Sequence, residues 1–263
     1  MDSSSSVKSM EEEIVWDDVS PNHHGPDQVH MTRVLVADWV RAAGHKRVLD
    51  LPCFMGRMTK LLLDRGLNVT SADLNPEQFR IPGRTCVRAD LHTTLPFQDG
   101  EFDALVCVEG IEHIEDQHQV VREASRILQR GGMFYISTPN VLSIRSRLSY
   151  LLRGYPNYFH YMIEIDPSTG KEKLMDHIRP VGYLELRYML SRWGFLVDKV
   201  TANRYVKPWS PLYNFIRLVM HTKGRRWEAQ HPAYKNVRRT LLSKELLFGE
   251  ALIMVATKVG PVP

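Results

Sequence analysis

Residues 48–73 read VLDLPCFMGRMTKLLLDRGLNVTSAD. The apolar run Val48–Leu51 predicts a short strand that ends at a turn. Met58–Leu63 predicts a helix, and Leu67–Ala72 a second strand closed by an acid, Asp73. Strand, turn, helix and strand in this order form the opening of a nucleotide-binding βαβ unit. A tight turn at a helix start lets backbone N–H groups face a polar ligand. An acid at the tip of the second strand is placed to accept hydrogen bonds from ribose hydroxyls.

Working outward, residues 30–44 (HMTRVLVADWVRAAG) carry Val34, Val36, Trp39 and Val40 at helical spacing and end at a glycine stop. Cys86–Asp90 predicts a third strand, and the almost wholly apolar Phe102–Val108 a central parallel strand buried on both faces. Gln117–Arg130 predicts an amphipathic helix closed by Gly131 and Gly132. Met133–Thr138 predicts the fifth strand, residues 181–193 a helix stopped by Gly194, and Phe195–Val200 the sixth strand. Two helical cap insertions interrupt the alternation, at 141–180 and 203–245. The first follows the fifth strand, where ligands of doubly wound sheets bind, and is expected to be a substrate lid.

The segments ADLHTTLPFQDGEFDALVCVEGIEHIED (89–116), RILQRGGMFYISTPN (126–140) and LFGEALIMVAT (247–257) resemble the class I S-adenosylmethionine-dependent methyltransferases of the type 11/12 kind. The resemblance spans about residues 30–258. It implies an α/β, Rossmann-like, doubly wound sheet of order 3-2-1-4-5-7-6 with the last strand antiparallel, 247–257 forming a late strand pair. It also implies S-adenosylmethionine as cofactor. By the same resemblance Asp50 orients the loop and the methionine amino group. Asp73, with Leu74 beside it, holds the ribose diol, Asp90 and the Leu91 backbone meet the adenine, and Glu109 lies beside the cofactor. The family's loop reads D-x-G-x-G-x-G. Here it is Asp50-Leu51-Pro52-Cys53-Phe54-Met55-Gly56, and only the last glycine survives. Pro52 fixes φ and lacks an N–H, and Phe54 is bulky where the cofactor's carboxylate end lies in the family. A packed turn without ligand, on a scaffold that kept the fold and lost the cofactor, is the alternative these two residues raise.

Glu109, Glu112 and His113 form E-x-x-E-H directly after the fourth strand. On a helix, residues i, i+3 and i+4 share a face, so two carboxylates and an imidazole converge on a divalent cation, Mg²⁺ or Mn²⁺ by donor type. His177 is the fourth candidate ligand. The pattern resembles the ubiquinone-biosynthesis O-methyltransferases and the small-RNA 3′-terminal 2′-O-methyltransferases. The metal-free reading makes His113 or His177 a general base, since imidazole titrates near neutrality. TPNVLSIRSRL and LLFGEALIMVA resemble methyltransferases of polysaccharide and glycan biosynthesis. The first expectation for the acceptor is therefore a sugar hydroxyl, free or on a carrier-linked glycan. A quinone-type small molecule or an RNA 2′-hydroxyl is the alternative.

The 263 residues, 43% of them hydrophobic, suffice for one large domain over 16–263, and MDSSSSVKSMEEE has the look of a disordered tail over 1–15. Three cysteines without metal spacing, and no apolar run near the roughly 18 residues a membrane span needs, predict a cytoplasmic protein with reduced thiols. Net charge is only +4, but bases crowd residues 204–244 among aromatics. That stretch suggests peripheral contact with an anionic, inner-membrane surface, or else a plain solvated face; a nucleic-acid partner is not expected.

Overall fold

The computed structural model describes residues 26–159, 177–205, 211, 214–215, 218–219 and 235–260. The expected tail, the middle of the first insertion and most of the second, with its basic stretch, lie outside the described residues.

Seven strands form one sheet: β1 (Val48–Asp50), β2 (Val69–Asp73), β3 (Cys86–Arg88), β4 (Phe102–Val108), β5 (Leu128–Pro139), β6 (Phe195–Ala202) and β7 (Ala251–Lys258). Their order is β3-β2-β1-β4-β5-β7-β6. β1 to β5 pair in parallel, and β7 runs antiparallel to both neighbours. Order and direction are those expected from the sequence.

Alternation along β4 explains why its sequence is apolar throughout. Successive side chains face opposite ways, so Leu105 and Cys107 join one core while Ala104, Val106 and Val108 join the other. The first core is capped by α3 (Gln117–Ile127) through Val120, Val121, Ala124 and Ile127, and by α5 (Tyr183–Arg192) through Leu186, Met189 and Leu190. The second is capped by α1 (Pro26–Ala42) through Val36, Ala37 and Val40, and by α2 (Arg57–Asp64) through Met58 and Leu62. Among the described residues, α4 (Ile144–Arg153), α6 (Lys235–Leu241) and α7 (Lys244–Phe248) gather by the end of the sheet.

Two expected elements are shaped differently. The helix expected to reach Arg130 stops at Ile127, because Leu128 is already extended (φ −79°, ψ 138°) and pairs with Phe102. The Leu128 carbonyl then accepts from Lys258 Nζ at 2.6 Å, so pairing replaces the last helical turn. The segment 247–257 is not a strand pair. Leu247 and Phe248 close α7, and Gly249 turns the chain into β7. A Cβ at Gly249 would stand 2.3 Å from the Ala202 Cβ, so only glycine fits that crossing.

Because β7 is reversed, its first residues lie beside the last residues of β5, with Ala251 opposite Pro139. The carboxyl ends of β1, β2, β4 and β5 and the start of β7 thus share one rim of the sheet.

Candidate functional site

The loop after β1 is built differently from a glycine-rich turn. Leu51 N donates to Val106 O, Cys53 N to Ala72 O and Gly56 N to Cys53 O. Phe54 N donates to Asp73 Oδ2 at 2.8 Å. The N–H groups of Leu51, Cys53, Phe54 and Gly56 are therefore committed within the protein, and Pro52 has none. The first turn of α2 carries no side-chain cap, and the N–H groups at a helix start have no intrahelical acceptor. Gly56 starts that helix at φ 96°, and a Cβ there would strike Ile81 and Phe79 at 2.7 and 2.8 Å. Pro52 packs on Gly110, where a Cβ would lie 2.5 Å from the proline ring. Phe54 takes φ 48° and leaves its ring half exposed, so it lies at the rim and does not plug the loop.

The three acids stand at the strand ends. Asp73 Oδ1 accepts from Asn75 N at 3.0 Å, and a carboxylate with two backbone donors retains acceptor positions for a diol. Leu74 beside it is a large exposed apolar side chain, and Leu91 is buried. Asp90 is partly exposed. Its Oδ1 takes the His92 backbone N–H at 2.9 Å, which holds its carboxyl below the ordinary value. Asp50 is fully enclosed and accepts from Thr59 Oγ1 at 2.6 Å. Burial pushes its pKa up to about 7, against the opposing pull of Thr59 and Arg33.

Arg33 is the residue that sequence reasoning missed. It lies on α1 in electrostatic reach of Arg57, Asp50 and Glu109. Burial lowers its pKa first, and the like charge of Arg57 adds to that. The available signal was register: 33, 36 and 40 fall on one helical face, and Val36 and Val40 face the sheet. One carboxylate for the ribose diol, one for an amino group and a desolvated guanidinium for a carboxylate form a set that fits the ribose and the methionine end of S-adenosylmethionine.

E-x-x-E-H does not continue as an α-helix. Glu109 takes φ 52°, Gly110 follows, and Ile111–His113 make one 3₁₀ turn. The two acids stay neighbours and interact through their side chains. Glu109 Oε1 accepts from Ser137 Oγ at 2.7 Å, and burial lifts Glu109 to about 6. Glu112 is driven inward to complete burial, and neither carboxylate oxygen has a hydrogen-bond partner among the described residues. Burial, and then the charge of Glu109, raise its pKa well above the ordinary value.

His177 arrives from beyond the first insertion. Ile178 N and Arg179 N dock on the Glu112 carbonyl at 3.1 and 3.0 Å. His177 Nδ1 lies 2.8 Å from Tyr158 O. A carbonyl only accepts, so Nδ1 carries the proton and the lone pair of the neutral ring sits on Nε2. That Nε2 is 3.9 Å from Glu112 Oε1. The rings of His113 and His177 meet edge to face at 5.0 Å. Ligand atoms of Glu112, His113 and His177 all fall within 4.8 Å of one another. The remaining expected ligand, Glu109, is not in that group. Unpaired carboxylate oxygens facing imidazole nitrogens form a donor set that fits a divalent cation.

A model of the methyltransferase domain family matches residues 49–136. The ubiquinone biosynthesis O-methyltransferase of Dechloromonas aromatica (strain RCB) is 30% identical over 203 residues, 68% of this chain and 85% of that protein. The protein of the same name from Xylella fastidiosa (strain M23) is 28% identical over 199 residues, 71% of this chain and 76% of its own. A SAM-dependent methyltransferase from Archaeoglobus fulgidus superposes with a TM-score of 0.53 at 19% identity, covering 86% of this chain and 94% of that one. A putative methyltransferase from Bacillus halodurans C-125 gives 0.54 at 17%, with 87% and 99% covered. At these identities the two structures speak for the fold alone.

Proposed function

The chain belongs to the class I S-adenosylmethionine-dependent methyltransferases, and from that premise we propose that it O-methylates a small aromatic hydroxyl compound of the catechol or quinol type. The observation that carries this reading is the buried, unpaired Glu112 carboxylate facing His177 Nε2. Burial keeps such a group protonated unless a cation holds it charged, and a cation there would suit an acceptor with neighbouring oxygens. The relatives named for ubiquinone biosynthesis support the same class. The glycan expectation has no such support, and the residues that suggested it do structural work. Pro139 ends β5, and Asn140 braces α7 with Nδ2 donating to Leu246 O and Gly249 O at 3.1 and 2.9 Å.

In this reading Asp73 holds the ribose, Asp90 and Leu91 flank the adenine, and Arg33 with Asp50 orients the methionine carboxylate and amino groups. Glu112, His113 and His177 would hold a Mg²⁺ or Mn²⁺ ion. S-adenosylmethionine supplies an electrophilic methyl group, and the cation supplies a lowered pKa for the acceptor hydroxyl. Glu109, held near 6 in a dry site and fixed by Ser137, takes the hydroxyl proton. The enzyme's remaining contribution is alignment of the oxygen with the methyl carbon.

The deciding experiment measures S-adenosylhomocysteine binding by calorimetry with and without Mg²⁺ or Mn²⁺, and turnover of catechol with S-adenosylmethionine. Glu112→Gln is expected to abolish metal-dependent turnover while S-adenosylhomocysteine still binds. Full activity in chelator, or an unaffected Glu112→Gln enzyme, would remove the metal from the reading.

A further inference from the structure

The rim above β5 and β7 carries a second cluster that methyl transfer does not use. Glu250, the residue before β7, is 7% exposed, and its Oε2 has no hydrogen-bond partner among the described residues. Two arginines converge on it from separate elements. Arg145, in the first turn of α4, brings Nη1 to 3.9 Å from Oε1, and Arg204, just after β6, brings Nε to 3.4 Å from Oε2. A committed ion pair closes to about 2.7–2.9 Å, so both contacts are loose. Both arginine side chains also stay about half exposed, at 53% and 49%. Two half-exposed guanidinium groups thus face one buried carboxylate. The N-terminus of α4, capped by Ser143, adds the positive end of its helix beside Arg145.

Tyr158 links this cluster to the reaction centre. Its carbonyl accepts from His177, and its side chain lies in electrostatic reach of Glu250, Arg145, Glu109 and Arg204. It holds that place at φ 75°, a conformation a bulky residue adopts only under outside constraint. β4 and β7 are two strand spacings apart, about 10 Å, a length spanned by a substituted aromatic ring.

We propose that Arg145 and Arg204, held side by side by Glu250, bind an anionic group of the acceptor, a carboxylate or a phosphate, while its hydroxyl lies at Glu112 and His177. The subsite rests on the acceptor reading above and narrows it: the acceptor is an anion.

The test loads the full chain with S-adenosylhomocysteine and titrates two pairs of probes, 3,4-dihydroxybenzoate against catechol and glucose 1-phosphate against glucose. Within each pair the compounds differ by the anionic group, carboxylate in one and phosphate in the other. The anionic member of at least one pair is expected to bind about tenfold tighter or more. Arg145→Gln and Arg204→Gln are expected to bring that preference close to parity without changing S-adenosylhomocysteine affinity. Equal binding within both pairs, including none, or a preference that survives both substitutions, overturns the subsite. A preference in the glucose pair alone keeps the subsite and overturns the catechol class proposed above. Methylation of catechol and dihydroxybenzoate with equal kcat/KM removes the subsite and leaves the catechol class standing. The comparison of probes needs no substituted protein, so a variant that misfolds does not blunt it.

Discussion

Asp50 is a residue whose ionisation the fold controls through burial. In the unfolded chain it titrates as an ordinary aspartate, and in the folded protein burial lifts it to about 7. The folded state therefore holds a proton that the unfolded state releases between about pH 4 and pH 7. Stability from this residue is present below that window and is lost as pH rises through it. Asp50→Asn is expected to flatten that part of the stability–pH curve of the ligand-free protein, read by urea denaturation at half-unit steps. An unchanged slope would place the proton elsewhere. Arg33 gives a second residue-scale expectation. Arg33→Ala should weaken S-adenosylhomocysteine binding about tenfold, the value of a lost charge-assisted contact, and leave the KM for catechol unchanged. Gly56→Ala meets both a left-handed backbone and the Ile81 and Phe79 side chains. Its cost should be about 1–3 kcal/mol in thermal unfolding.

Among elements, the junction of β5 with α7 is the most dependent on one side chain. Asn140 is buried, donates to the carbonyls of Leu246 and Gly249, and accepts from Leu142 N at 3.1 Å. Asn140→Ala leaves those buried groups without their partner, at about 1–3 kcal/mol. The expected signature is faster hydrogen exchange at Leu246 to Gly249, with β1 and β2 unaffected; uniform loss of protection would refute a local role. The same junction shows what sequence could and could not reveal. The central elements were legible because their pattern matches their burial: β4 is apolar from both sides, and α3 is amphipathic. LFGEALIMVAT is expected as a strand pair from sequence because buried helix and buried strand share an apolar pattern. Only the Ala202 contact, distant in sequence, forces the turn at Gly249. Arg33 was hidden for a related reason. An arginine on a mostly apolar helix looks solvated until the helix is docked. His177 and Glu112 were legible as residue types, but their meeting depends on the docking of Ile178 and Arg179 on a single 3₁₀ turn.

For the whole molecule, no helix among the described residues is long and apolar enough to cross a membrane. The basic, aromatic stretch at 204–244, for which contact with an anionic surface was one expectation and a solvated face the other, lies mostly outside the described residues. The residues proposed to hold the cofactor come from α1 and from the ends of β1, β2 and β3, so the ligand would tie several separate elements together. S-adenosylhomocysteine at a hundred times its dissociation constant should therefore raise global stability by about 2.7 kcal/mol. The corresponding rise in melting temperature is measured by calorimetry. A protein that kept the fold as a scaffold only would show none.

The reversed β7 has one more consequence, which concerns how this enzyme can change. Donor recognition is drawn from the strands on one side of the fold, whereas Arg145, Arg204 and Glu250 stand around the start of the one strand that runs backwards. Two specificities thus occupy separate stretches of polypeptide on a common rim. Substitutions at 145, 204 and 250 can retune the acceptor while the donor grip is inherited intact, so a small combinatorial library at those three positions is the shortest route to a new substrate preference.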